Sequence, residues 1–206
     1  MNGPDHPYTL LTMGNLALCL FNEKRYAEAE RQFRETLEIK RRVLGPEHRS
    51  TLVTMGNLAD TLRSEGKYPE SEKLFREAVE TMGRTLGQSH SDYLTTLYAF
   101  GQLLQSEKHY SEAERVLRKA LEGQRRVLGD AHPDTASSAF ALAEVLAAEG
   151  KRDEAFENLQ FAVNHQLPAD ARAGLEKDEA FKPLRGSERF EALVAASVKQ
   201  GALAKQ

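Results

Sequence analysis

The sequence predicts an all-α fold, an α-solenoid of about four helix-turn-helix units of 42 residues followed by C-terminal capping helices. Three observations predict it. His6, His48, His90 and His132 stand 42 residues apart, and each follows a glycine by three positions, in Gly3-Pro4-Asp5-His6, Gly45-Pro46-Glu47-His48, Gly87-Gln88-Ser89-His90 and Gly129-Asp130-Ala131-His132. The same register holds in large apolar columns (Leu16, Leu58, Phe100, Leu142; Leu20, Leu62, Leu104, Leu146; Phe33, Phe75, Leu117, Leu159) and in small ones (Ala17, Ala59, Gly101, Ala143; Ala29, Ser71, Ala113, Ala155). Small residues let two helices approach and large ones fill the space between them. Within each segment the apolar spacing has helical period rather than strand alternation.

The elements follow in order. The first helix of the first unit starts at Pro7, because proline is favoured where its missing N–H would be an orphan anyway, and runs to about Glu23. A short breaker ends it, Glu23-Lys24-Arg25, and recurs as Glu65-Gly66-Lys67, Glu107-Lys108-His109 and Glu149-Gly150-Lys151. The second helix runs from about Tyr26 to Leu44, with Ala29, Phe33, Thr36, Leu37 and Val43 on its apolar side. Glu28 and Glu30 in its first turn and Lys40, Arg41 and Arg42 in its last suit the helix dipole, and Gly45 stops it. The units are expected at 3–44, 45–86, 87–128 and 129–166. Residues 167–206 leave the pattern and form the cap: a break at Leu167-Pro168-Ala169-Asp170, a short helix to about Lys177, a turn, and a last helix with Ser187 as N-cap and Phe190, Leu193 and Val194 on its apolar face. The chain opens on the loop that elsewhere ends a unit, so it is expected to be either a piece of a longer array or a chain whose first helix offers apolar residues such as Leu10, Met13 and Leu18 to a partner.

With Leu58-Ala59, Leu62, Tyr68, Ser71, Phe75 and Ala78 in place, the columns resemble the tetratricopeptide repeat family. That family's usual period is roughly 34 residues, and the extra residues here, about two helical turns, fall at Ile39–Leu44 near the end of the second helix. The long unit with its Leu-Gly-x-x-His loop resembles the kinesin-light-chain variety of repeat, over about residues 3–166. The resemblance implies a right-handed solenoid that binds peptides on its concave face, lined by the first helix of each unit. It also implies that an Asn directly before the Leu-Ala pair holds peptide backbone, which carries over to Asn15 and Asn57; Ala99 and Ala141 depart from it. An amide both donates and accepts, and so suits an extended peptide of any sequence. The same stripe holds Leu11, Val53, Thr95 and Ser137, then Leu18, Asp60, Gln102 and Glu144. It carries Asp60 and Glu144 but no Lys or Arg from the first helices, so it is not expected to suit a strongly acidic peptide, unlike the acidic-motif recognition that the resemblance implies.

Other chemistry is not expected. The chain has 206 residues, 29% of them charged, and a net charge of −3, which with aromatics confined to packing columns argues against nucleic acid as a partner. No run approaches a membrane span, no secretory signal opens the chain, and the single Cys19 fits a reducing compartment, so a cytoplasmic setting without membrane contact is expected. Cys19 itself is expected to be a small buried apolar residue. The loop histidines are expected to bond loop backbone or to cap the next helix, since two helices separate successive loops and no single metal ion could be shared. No cofactor, no metal and no catalytic residues are expected, because no phosphate-binding, zinc-protease or nucleophile motif is present. The expected function is a non-catalytic interaction module for a protein or peptide partner. Two alternatives are a regulatory or scaffold region of a larger, bacterial signalling protein such as a kinase fusion, and an oligomerising structural repeat that self-associates through its uncapped N-terminal unit.

Overall fold

The structure, a computed structural model, describes residues 5–165 and 167–203. The loop glycine Gly3, the outer bound of the fourth unit at 166 and the last three residues lie outside the described residues. Eight helices come first in chain order: α1 Pro7–Asn22, α2 Tyr26–Val43, α3 Arg49–Ser64, α4 Tyr68–Thr85, α5 Ser91–Ser106, α6 Tyr110–Leu128, α7 Pro133–Ala148 and α8 Arg152–Asn164. Then come a short α9 (Ala169–Gly174), two 3-10 segments at Leu175–Lys177 and Glu179–Leu184, and α10 (Glu188–Leu203). No strand occurs among the described residues. The helices group into two compact units, Met1–Leu103 and Leu104–Gln206.

Each start signal in the sequence has a local physical basis. The Nδ1 atoms of His6, His48, His90 and His132 accept the backbone N–H two residues on, from Tyr8, Ser50, Asp92 and Asp134, at 3.3, 3.1, 3.1 and 3.2 Å. Each histidine thus satisfies one of the four orphan donors of a helix start, the role usually taken by Ser or Asp. Gly45, Gly87 and Gly129 precede these caps with φ of 93°, 89° and 87°, a region that an L side chain rarely adopts. The breakers turn on their middle residue: Gly66 and Gly150 at φ 76° and 78°, and Lys24 and Lys108 at 61° and 62°.

Within the first unit α1 packs on α2, α2 on α3 and α3 on α4. Ala17, Ala29, Ala59 and Ala78 are fully buried, and the Ser71 hydroxyl donates to the Ala59 carbonyl at 2.6 Å, which ties α4 to α3. Phe33, Phe75, Leu58 and Leu62 fill the layer, with Phe75 against Phe100 at 5.8 Å between ring centres. In the second unit α6 packs on α7 and α7 on α8, and the segment Glu179–Leu184 lies on α7. Phe181, fully buried, meets Phe140 edge-on at 5.4 Å and Phe190 at 6.1 Å. The cap therefore continues the apolar layer with 3-10 turns in place of a further helix. Ser187 caps α10, its Oγ accepting the Phe190 N–H at 3.3 Å.

Two expectations are corrected here. Leu10, expected among the residues that the first helix offers to a partner, is buried. Cys19 is exposed. Its register partners Thr61, Leu103 and Val145 are buried, as are Leu58, Phe100 and Leu142, whereas Leu16 is 50% exposed. In the first unit Leu58 lies beneath Arg34, Leu37 and Arg41 of α2 and Leu74 of α4. The row Thr12, Leu16, Cys19 of α1 has no such helix over it among the described residues.

Candidate functional site

An open depression of about 450 Å³ lies in the first unit, lined by Leu11, Gly14, Asn15 and Leu18 of α1, Phe33 and Lys40 of α2, His48, and Arg49, Ser50, Val53, Thr54 and Asn57 of α3. It forms because α1 and α3 lie side by side, because the columns of Leu11 and Asn15 recur as Val53 and Asn57, and because Gly14 adds no side chain between them. Leu11 is 57% exposed and Leu18 is exposed, so its walls are apolar, while Asn15 and Asn57 supply amides. Five of the sequence-predicted groove residues, Leu11, Asn15, Leu18, Val53 and Asn57, are thus brought together.

The other predicted residues stand apart from this depression. Asp60 is not a bare charge: Arg63, one turn on, donates to its carboxylate at 2.8 Å. Thr95 is exposed on α5, and Gln102, on the same helix, donates to the Tyr98 hydroxyl at 2.9 Å. Ser137 donates to the Pro133 carbonyl at 3.0 Å on α7. Glu144 is not a solvated charge either. It lies half-buried on α7 and hydrogen-bonds Gln105 and Asp178, and burial first, then the Asp178 charge, pushes its carboxyl up to about 8. It is therefore protonated at neutral pH and attracts no cation. Ala141, in the asparagine column, is buried.

Sequence reasoning missed Lys40. The dipole accounts for a cation near the end of α2, but this side chain turns inward: it is 5% exposed, and its Nζ donates to the Thr54 hydroxyl at 2.8 Å, with the Ser50 carbonyl at 3.5 Å. Burial pushes its amine below the ordinary lysine value. The signal was present, since Lys40 continues the row Phe33, Thr36, Leu37 and shares a repeat column with Met82. A cation in a core column asks for an explanation that an exposed dipole partner does not. Its neighbours Arg41 and Arg42 do point outward, to Glu77 at 3.0 Å and Asp5 at 2.6 Å. Among the described residues no cluster of three or more His, Cys, Asp or Glu is placed to hold a metal ion.

Comparison with known proteins fixes the class. Residues 8–82, 54–125 and 92–165 match the tetratricopeptide repeat family, and the chain belongs to that family. Its fold is similar to the kinesin light chain nearly identical TPR-like repeats of Podosopora anserina, with a TM-score of 0.78 at 21% identity over 100% of both chains. It is also similar to BtubC (BKLC) from P. vanneervenii, with a TM-score of 0.75 at 16% identity over 96% of this chain and 82% of that one. YrrB, described as a TPR protein with an unusual peptide-binding site, gives a TM-score of 0.56 at 16% identity over 91% and 84%. No curated protein matches the chain. At these identities the likeness to solved structures carries the fold, an all-α repeat array of the kinesin-light-chain-like type.

Proposed function

We propose that this chain is a non-catalytic protein-interaction module that holds an extended partner segment against the inner helices of its repeats, anchored in the depression between α1 and α3. The observation that carries the reading is the pair of amides, Asn15 and Asn57, set one repeat apart on the walls of one open, partly apolar depression. An extended segment presents carbonyl and N–H groups at regular spacing, and an amide serves either. Leu11, Leu18 and Val53 offer apolar contact that does not depend on sequence. Repeat arrays bind through such surfaces, and the proposal counts Asp60, Thr95, Gln102, Ser137 and Glu144, each on the first helix of its own repeat, as partner-facing residues. The proposal includes a cytoplasmic setting, and no nucleic acid, membrane or cofactor enters it.

The test is a binding series on an array of extended peptides with the intact chain. Removing one hydrogen-bond partner costs about 0.5–1.5 kcal/mol, so Asn57→Ala should weaken a bound peptide several-fold to tenfold at unchanged melting temperature. If peptides bind and neither Asn15→Ala nor Asn57→Ala alters their affinity, the groove assignment falls.

A second reading is self-association through α1. It rests on Leu16, 50% exposed where Leu58, Phe100 and Leu142 are 2%, 4% and 1% exposed.

A further inference from the structure

We infer that the uncovered row of α1 docks an amphipathic helix of a partner protein, one that carries two arginines seven residues apart beside an apolar ridge. The inference is independent of the groove reading, since none of Thr12, Leu16 and Cys19 lines the depression between α1 and α3.

Three observations carry it. First, the row has the form of a helix seat. Its repeat equivalents on α3, Thr54, Leu58 and Thr61, are buried where α2 packs, and those on α7, Ser138, Leu142 and Val145, are buried where α6 packs. On α1 the same columns hold Thr12, Leu16 and Cys19, all exposed, and no residue from Pro7 to Asn22 is charged. Second, the seat has an acidic edge in register. In the covered case Arg34 of α2 donates to Glu70 of α4 at 2.8 Å and Arg41 to Glu77 at 3.0 Å, with Leu37 beside Leu58 between them. One repeat earlier, Glu28 and Glu35 of α2 stand in the places of Glu70 and Glu77, and both are exposed. Glu28 is held by Arg25 at the start of its own helix, and among the described residues no cation pairs with Glu35. Residues seven apart share one helix face, so this edge is complementary to a helix with arginines at the same interval. Third, a second copy of the chain does not have that helix free. The helices with arginines seven apart are α2, with Arg34 and Arg41, and α6, with Arg118 and Arg125. Those four side chains are taken up by Glu70, Glu77, Glu154 and Asp130. The occupant is therefore a helix of another protein, which buries Leu16 as α2 buries Leu58.

The test uses the intact chain and a probe of the stated chemistry, an acetylated and amidated peptide with the sequence of residues 26–43, the helix that covers α3. Binding is read at low salt from the anisotropy of a fluorescent label on the peptide. The peptide should bind, and Leu16→Lys in the chain should weaken it about tenfold or more, the effect of losing one leucine's burial. Reversing the second arginine of the peptide (R41E) should weaken binding several-fold, and Glu35→Arg in the chain should restore the reversed peptide while weakening the original one. No binding at millimolar peptide, or binding indifferent to both Leu16→Lys and the charge exchange, would overturn the inference. So would sedimentation that finds the unsubstituted chain dimeric through Leu16 and the dimer unmoved by the peptide, because the row then belongs to a second copy. Should Leu16→Lys fail to fold, the charge exchange still decides.

Discussion

A histidine at a helix N-cap is an acceptor built from a ring, and its contribution is local. The bond from Ser50 N–H to His48 Nδ1 spans two residues, so His48→Ala should cost about 0.5–2 kcal/mol in a denaturant titration, and His48→Ser should restore most of it. An unchanged midpoint for the alanine variant would mean that water replaces the ring without loss. The breakers allow a second residue-level comparison. Lys108 adopts φ 62° where Gly66 and Gly150 stand in the equivalent turns. A left-handed L residue costs about 1–2 kcal/mol and glycine's larger loss of chain freedom about 0.5–1 kcal/mol, so Lys108→Gly should stabilise by up to about 1 kcal/mol. Residue-level features divide by legibility. The histidine column was plain from spacing, but whether the rings bond loop backbone or cap the next helix was settled only by the bonds to Tyr8, Ser50, Asp92 and Asp134. Lys40 was legible only through the core column it shares with Met82, since its place at the end of α2 fits equally well whether the side chain turns out to solvent or in beneath Gly14.

Helices meet here through small residues, and that sets the tolerance of each pair. Ala59 is fully buried on α3 with the Ser71 hydroxyl on its carbonyl, so Ala59→Leu should destabilise by about 1–3 kcal/mol through overpacking. A neutral result would place the column at the surface. The contact of α7 with the cap should respond to pH. Glu144 keeps its proton in the folded state up to about pH 8, against an ordinary value of 4.5. The folded state therefore binds more protons than the unfolded one between those values, and stability falls as pH rises through that window, then levels off. Glu144→Gln, which mimics the protonated side chain, should remove the slope and gain about 1–3 kcal/mol at pH 9. A variant that tracks the unsubstituted chain from pH 5 to 9 would refute the raised carboxyl of Glu144. The helix boundaries were legible because proline, glycine and histidine mark them. The 3-10 form of Glu179–Leu184 was not, because a six-residue stretch with one proline, Pro183, has no period to read.

Across the molecule the repeat also fixes an ionic register. Arg34 meets Glu70 and Arg41 meets Glu77 in the first unit, and Arg118 meets Glu154 in the second, each pair 36 residues apart in sequence. Single exposed pairs contribute little, about 0–1 kcal/mol, so the ladder serves alignment more than stability. The acids at the helix starts were legible as dipole partners. Their pairing with the neighbouring repeat was not, because it needs the packing distance between successive second helices. At this scale the uncovered row of α1 makes its own prediction: if the chain self-associates, Leu16→Lys should return it to monomer in sedimentation at high concentration while leaving the melt in place. Persistence of the assembly in that variant would move the contact elsewhere.

The caps and glycine turns reach only two or three residues along the chain, and this makes each boundary self-contained. A stretch of 42 residues carries its own beginning, its own end and its own half of every neighbour's contact. Copies can then be gained or lost in whole steps without rewriting what lies on either side, and a register shift by any other number breaks every column at once. Duplicating residues 49–90 in tandem should therefore yield a folded chain with a melting temperature at or above the parent's, whereas inserting half that stretch should not fold. The histidine period, on this view, is the unit in which the protein can be lengthened.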